Sequence, residues 1–212
     1  LYELLRHDRE HGSIVWVMGP AFTFNGYSRD AFAKIIDAGY ADAVFAGNAL
    51  ATHDLEGAYF HTSLGQDIVT QENRPNGHYH HLDTINRVRY WGSIPRFIAE
   101  EGVRDGIMEA LVRNDVPYVL AGSIRDDGPL PDVITDTMDA QAAMRPWCQR
   151  AGACIMMSTM LHSIATGNLL PAAVTTVCVD INPAVVTKLA DRGSFQTIGI
   201  ITDVGLFLKQ LA

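Results

Sequence analysis

Cysteine is scarce here, three residues in 212, and Cys148, Cys154 and Cys178 lack metal-type spacing. So few thiols, odd in number, exclude a disulfide scaffold and point to a reducing, cytoplasmic compartment. No apolar run reaches the 18 residues of a membrane span, and the charged opening LYELLRHDREHG has no apolar stretch of the kind a secretory signal needs. Basic residues are the minority: 16 Lys+Arg stand against 24 Asp+Glu, a net charge of -8. A phosphate-backbone surface calls for the opposite balance, so nucleic acid is not an expected partner. Neither G-x-G-x-x-G nor G-x-x-x-x-G-K-[ST] occurs, so no standard fingerprint argues for a nucleotide. Internal repeats and low-complexity tracts are absent too, and the chain begins without Met, as a piece of a longer one would.

What is present is a globular mix, 48% apolar and 19% charged, in a length that suits one domain over residues 1–212. Short β-branched apolar runs ending in Gly, Asp, Asn or Ser alternate with longer amphipathic stretches, the pattern of βα units. The runs predict strands at 13–18, 42–46, 116–121, 153–158, 174–180 and 196–201. Their continuous apolarity predicts burial on both faces in a mainly parallel sheet, with helices on either side. Helices are expected at 29–38, 49–58, 82–89, 94–113, 136–150, 183–192 and 204–211. Asn182-Pro183 supplies a start signal and Gly193 a stop. The polar stretch 62–82, rich in Gly, Asn and His, reads as a long loop or small excursion.

In an open parallel sheet ligands gather at the carboxyl ends of strands, and four such ends carry chemistry. Gly47-Asn48 opens a helix whose free amides can face a phosphate or carboxylate, unless Asn48 only caps that helix. Asp180 ends a strand where a dinucleotide fold holds a ribose diol, or else caps the next helix. Thr159 and His162 follow a third strand, and His162 is either a proton carrier or a structural imidazole. The fourth, Arg125-Asp126-Asp127 with Asp132 and Asp136 around Pro129 and Pro131, is either a stiff carboxylate clamp or a solvated turn. His78, His80 and His81 have no partners at ligand spacing and are assigned to a surface loop, so no metal is expected.

Four segments make a longer pattern: AGNALATHDLE (46–56), AGSIRDDGPLPDVITDTM (121–138), TMLHS (159–163) and CVDINPAVVTKLADRG (178–193). They resemble the NAD-dependent ornithine cyclodeaminase family that shares the lysine-oxoglutarate reductase/saccharopine dehydrogenase conserved region, distinct from cyclodeaminases of the mu-crystallin type. The same module resembles the C-terminal half of fused arginine dihydrolase/ornithine cyclodeaminase enzymes. The resemblance implies a Rossmann-like, deoxyhypusine-synthase-like fold holding NAD through Asn48, Ala49, Asp127, Thr159, Met160, Leu161, His162, Asp180, Asp203 and Val204. It also implies a family N-terminal domain that these 212 residues do not include, and a homo-oligomer is expected.

The reaction so implied turns ornithine into proline and ammonia by removal and return of one hydride, linking arginine catabolism to proline biosynthesis. Arg125 is the candidate for the substrate carboxylate, and His53, Asp54 and Asp126 are the candidates for proton transfer. Lys188 lies inside an expected helix, which disfavours a Schiff base. Two other readings stay open: a saccharopine-type amino-acid oxidoreductase with net NAD turnover, and a non-catalytic NAD-binding module of a larger assembly.

Overall fold

Strand β1 (Ile14–Met18) is wholly buried and sits at the middle of the sheet, with β2 (Ala43–Gly47) on one side and β7 (Ala153–Met157) on the other. This is a computed structural model that describes residues 1–191 and 197–212. Outward from β2 come β5 (Tyr118–Ala121) and the two-residue β6 (Val133–Ile134); outward from β7 come β8 (Thr175–Asp180) and β9 (Thr197–Ile201). All these pairs are parallel, and among the described residues the sheet order is β6-β5-β2-β1-β7-β8-β9.

Alternate residues of each central strand enter two separate cores. Ile14, Trp16 and Met18 join Val44, Ile155, Met157, Val177 and Val179 in one, while Val15 and Val17 join Phe45, Cys154, Met156 and Cys178 in the other. Burial on both faces is why these strands read as unbroken apolar runs. Helices α2 (Gly26–Asp37), α3 (Asn48–Phe60), α6 (Ile107–Arg113) and α10 (Val204–Leu211) cover the first face; α7 (Thr137–Arg150), α8 (Met160–Gly167) and α9 (Pro183–Asp191) cover the second. The three thiols all lie in the second core as free cysteines, and burial pushes each above its ordinary value. They are packing residues there.

Six expected strands therefore form, within a residue or two of their predicted bounds, and the Rossmann-type parallel architecture is as expected. The expected start of the last strand at Gln196, the helix end at Arg192 and the stop at Gly193 lie outside the described residues. Two expectations need correction, and two helices were not anticipated. The single helix over 94–113 is two, α5 (Ile94–Glu100) and α6, because Gly102 and Gly106 adopt φ of +67° and +102° between them. The excursion over 62–82 is not all loop: it holds a small hairpin, β3 (Thr62–Ser63) with β4 (Gln66–Asp67), and its end is the start of α4 (His78–Trp91). Helix α8 was not anticipated, nor was an N-terminal helix, α1 (Tyr2–His11), whose mostly polar sequence hides the apolar contact made by Leu5.

Candidate active site

Strand order reverses between β1 and β7, and the crevice at their carboxyl ends is built by close backbone approach. The Gly19 amide donates to the Met157 carbonyl at 2.8 Å, and a Cβ at Gly19 would stand 1.9 Å from the carbonyl oxygen of Ser158. Only glycine fits. Ser158 itself takes φ of +49°, a left-handed conformation costing a non-glycine residue on the order of 1 kcal/mol.

A cavity of about 290 Å³ opens beside this contact, lined by Phe22, Ser158, Asp180, Ile181, Asp203 and Val204 among others. Asp180 is 8% exposed. One of its oxygens accepts the Asn182 amide at 2.8 Å, and the other has no partner among the described residues. Asn182 in turn accepts the Ala184 amide at 3.0 Å, so the cap of α9 is Asn182 and Asp180 braces the turn before it. Asp203 is also a cap, accepting the Leu206 amide at 2.8 Å at the start of α10. A second hollow, about 400 Å³ and lined by Asp42, Val116, Trp147 and Arg150 among others, lies at the amino ends of β1, β2 and β5, on the edge where parallel sheets do not bind ligands.

The helices that follow strands of this sheet differ in how they begin. Asn25, Asp136, Asn182 and Asp203 each place a side-chain oxygen on the first turn of α2, α7, α9 and α10. By contrast α3, after Gly47, and α8, after Thr159, have no side-chain cap. These two follow β2 and β7, the strands on either side of β1, and their first amides are left for an anion. Asn48 is not the cap of α3. Its Oδ1 accepts the Leu130 amide at 2.9 Å, and its Nδ2 lies 3.5 Å from the Gly128 carbonyl, tying the proline-stiffened loop to the helix start.

His162, in the first turn of α8, lies against Gly47: a Cβ there would be 3.3 Å from its Cε1. Its Nδ1 is buried with no partner among the described residues, and burial lowers its pKa against the opposing charge of Asp126. Leu161 beside it is exposed. Within the loop, Asp126 accepts the Ser123 amide, Asp132 the Ile94 amide and Asp136 the first amides of α7. Three of the four carboxylates there thus already accept backbone amides, of the loop itself, of α5 and of α7, and the clamp reading narrows to Arg125 and Asp127. Arg125 is exposed, with no side-chain partner among the described residues.

The largest departure from expectation is on α3, which is buried on nearly all sides. Asp54 is fully buried; one oxygen takes Arg29 Nε at 2.8 Å and the other the Met108 amide at 2.8 Å. Both lone-pair faces are occupied, so the expectation that Asp54 transfers protons is corrected to a structural ion pair. His53 and Glu56, one turn apart, meet His81 of α4, whose ring centroid is 4.9 Å from that of His53. The surface-loop assignment of His81 is therefore wrong: α4 begins at His78 and turns His81 inward to 8% exposure. The three side chains are all buried, with donor atoms within 4.8 Å of one another, a spacing a metal ion can use.

Glu56 anchors this group. Its oxygens accept Thr62 Oγ1, the Leu64 amide and the Gly65 amide, each at 2.9 Å. Burial pushes its carboxyl up, but His53, His81, the Gly65 amide and Thr62 outweigh that and hold it at about 2. Beyond His81, Asp127 closes the set, its carboxylate 3.3 Å from Nε2. Glu56 and His81 were missed from sequence; the available signal was His53-x-x-Glu56, which puts both residues on one helical face.

The parallel sheet and its crevice define a Rossmann-type domain, and comparison with known proteins narrows it. Residues 2–211 match the family described as arginine dihydrolase ArgZ-like, C-terminal, Rossmann fold. The chain belongs to that family. It is 57% identical over 209 residues to an ornithine cyclodeaminase of Methanopyrus kandleri, covering 99% of this chain and 50% of that protein. Among solved structures, a conserved putative LOR/SDH protein from Methanococcus maripaludis superposes with a TM-score of 0.92 at 48% identity, over 99% of this chain and 63% of that one. The ternary complex of AgrE with ornithine and NAD+ also gives 0.92, at 46% identity, over 99% of this chain and 31% of that one. A putative deoxyhypusine synthase from Entamoeba histolytica, 9% identical with a TM-score of 0.54 over 94% and 74% of the two chains, shares the fold alone. The chain spans about half the length of the archaeal cyclodeaminases it matches.

Proposed function

We propose that residues 1–212 are the NAD-binding catalytic domain of an ornithine cyclodeaminase that converts L-ornithine to L-proline and ammonia. One observation carries the reading. Two uncapped helix starts, a glycine held against a neighbouring strand end and a buried carboxylate with an open oxygen meet where the strand order reverses. These residues fit a dinucleotide. The open oxygen of Asp180 suits ribose hydroxyls, and the free amides of Asn48, Ala49, Met160, Leu161 and His162 suit a pyrophosphate. Thr159, Asp203, Val204 and Asp127 complete the set, and the 290 Å³ cavity takes part of such a molecule, ligand pockets starting at about 300 Å³.

NAD, when bound, supplies a reversible hydride acceptor for the substrate Cα. The chain's own residues orient the substrate and handle its protons. Arg125, exposed and unpaired, holds the substrate carboxylate as a bidentate donor. His53 moves a proton, and Asp126 sets the charge beside His162. The names of the M. kandleri relative and the AgrE–ornithine–NAD+ complex support the substrate class.

The LOR/SDH name of the M. maripaludis structure favours one alternative, an amino-acid oxidoreductase with net NAD turnover. Ornithine given to NAD-loaded protein without added NAD separates them. Sustained proline and ammonia support the cyclodeaminase; NADH accumulating to one equivalent supports the oxidoreductase; retained NAD with no conversion of any diamino acid supports a non-catalytic module. Asp180→Ala tests the cofactor assignment by calorimetry. Losing hydrogen bonds to a charged acceptor costs roughly 1.5 to 3 kcal/mol of NAD affinity, and unchanged affinity would refute it.

A further inference from the structure

The cluster on α3 and α4 brings three donor atoms together without bonding them to one another. His53 Nδ1 lies 3.8 Å and His81 Nδ1 3.5 Å from the same oxygen, Oε2 of Glu56. Both distances exceed the roughly 2.7 to 3.2 Å of an N–H···O bond, and neither nitrogen has a hydrogen-bond partner among the described residues. Both histidines are more than nine-tenths buried. Buried polar atoms are rarely left so, and an ion is one of the few things that accounts for them. Glu56 is held where it stands: Oε1 accepts Thr62 Oγ1 and the Gly65 amide, and Oε2 accepts the Leu64 amide, each at 2.9 Å. That leaves Oε2 one lone pair for a further partner. Ligands of a four-coordinate zinc stand roughly 3.4 Å apart, so the spacing here is that of a coordination shell. The outer contact fits as well: His81 Nε2 lies 3.3 Å from Asp127, and a metal-bound imidazole usually turns its second nitrogen to a carboxylate. Asp127 is exposed, so an ion has a way in past it.

We infer that His53, Glu56 and His81 bind one divalent first-row cation, zinc by ligand type, with Asp127 as the outer carboxylate on His81. Two imidazoles and one carboxylate are a zinc set with a fourth position for water, whereas calcium and magnesium call for oxygen ligands throughout. Sequence spacing gives no such set, since the donors come from two helices. No tautomer has to be assumed, because a cation displaces whatever protons the two Nδ1 atoms carry. The inference goes beyond the cyclodeaminase reading and does not rest on it. An imidazole that gives its Nδ1 lone pair to a cation has none left for a proton, so the proton step proposed for His53 belongs to the metal-free chain. What the cation does to the fold is mechanical. It joins α3 directly to α4 and, through Glu56, both helices to the β3–β4 hairpin. The contact of His81 with Asp127 carries the tie on to the loop over 122–132, which Asn48 already holds from α3.

The test titrates cobalt(II), a coloured stand-in for zinc, into the untagged chain after treatment with a chelator. One equivalent should bring up the visible d–d absorption of a tetrahedral site, and zinc should then abolish it. Zinc should also raise the urea midpoint of the wild type, since the donors meet only in the folded chain. His53→Ala and His81→Ala should each lose the cobalt band and the zinc-dependent shift while their metal-free unfolding curves stay cooperative. Asp127→Asn changes an exposed side chain and leaves the packing alone; it should weaken cobalt binding roughly 10- to 100-fold. A wild type that gives no band overturns the site. So does a band that persists in both histidine variants, which would assign the cobalt to exposed histidines such as His78. Unchanged affinity in Asp127→Asn overturns the outer carboxylate. None of these readings uses ornithine or NAD, so the site stands or falls apart from the proposed reaction.

Discussion

Gly19→Ala isolates the contact on which the crevice depends. Gly19 does not have a positive φ, so alanine suits its backbone, and at a compatible site Gly→Ala stabilises by roughly 0.4 to 1 kcal/mol. Here the added methyl would stand 1.9 Å from the Ser158 carbonyl oxygen and 2.6 Å from its carbonyl carbon, both backbone atoms. Relief takes a separation of more than about 1 Å between the ends of β1 and β7, since real Cβ contacts are essentially never under 3.0 Å. Overpacking of this kind costs typically 1 to 3 kcal/mol, and the 2.8 Å bond from the Gly19 amide to Met157 is stretched with it, worth about 1 kcal/mol more. The expected sum is a loss of roughly 2 to 4 kcal/mol in urea unfolding. NAD affinity should fall at least tenfold, because Ser158 lines the cavity with Asp180. A variant as stable as wild type, with NAD affinity unchanged, would refute both the contact and the placement of the site.

Removing Asp54 should be more damaging than removing an exposed acid. Arg29, 1% exposed, would keep only the half-exposed Asp105 carboxylate, 3.8 Å away, as a charge partner, so Asp54→Ala should lose about 3 kcal/mol by chemical denaturation. Glu56 gives the fold an acid limit. Its folded value of about 2 lies below the ordinary 4.5, so its contribution is complete above pH 4.5 and disappears as pH falls toward 2, on the order of 3 kcal/mol in all. Urea midpoints followed from pH 5 to 2.5 should drop more steeply in wild type than in Glu56→Gln; parallel curves would contradict the assignment. Asn48→Ala should free the loop over 122–132 by leaving the buried Leu130 amide unpaired, at about 1 to 3 kcal/mol. Faster hydrogen exchange at Leu130, with α3 unchanged, is the expected reading.

The sheet was legible because its strands are buried on both sides, a condition that writes itself into the sequence as runs such as Ile14–Met18 and Ala153–Met157. The two-residue strand Val133–Ile134 is too short to carry any period, and the break before α6 depends on glycine dihedrals that spacing alone does not reveal. Strand ends were legible as places where polar residues collect, as Asp180 and His162 illustrate, but not which polar atoms would be used up. Asp203 and Asp136 proved to be caps, and Asn48 a brace for a distant loop. Least legible was the pairing of Glu56 with His81, 25 positions apart, since a histidine cluster shows its partners only once two helices pack.

The reversal of strand order between β1 and β7 also divides the polypeptide. Residues before position 152 contribute Gly47, Asn48, Asp127 and the histidine–glutamate cluster; those after it contribute Ser158, His162, Asp180 and Asp203. On the cofactor assignment proposed above, neither half owns a whole binding surface. Two fragments cut in the turn around Ala151-Gly152 should each be blind to nucleotide and regain recognition only on reassembly, which makes the seam a natural place for splitting the protein into a ligand-dependent reporter.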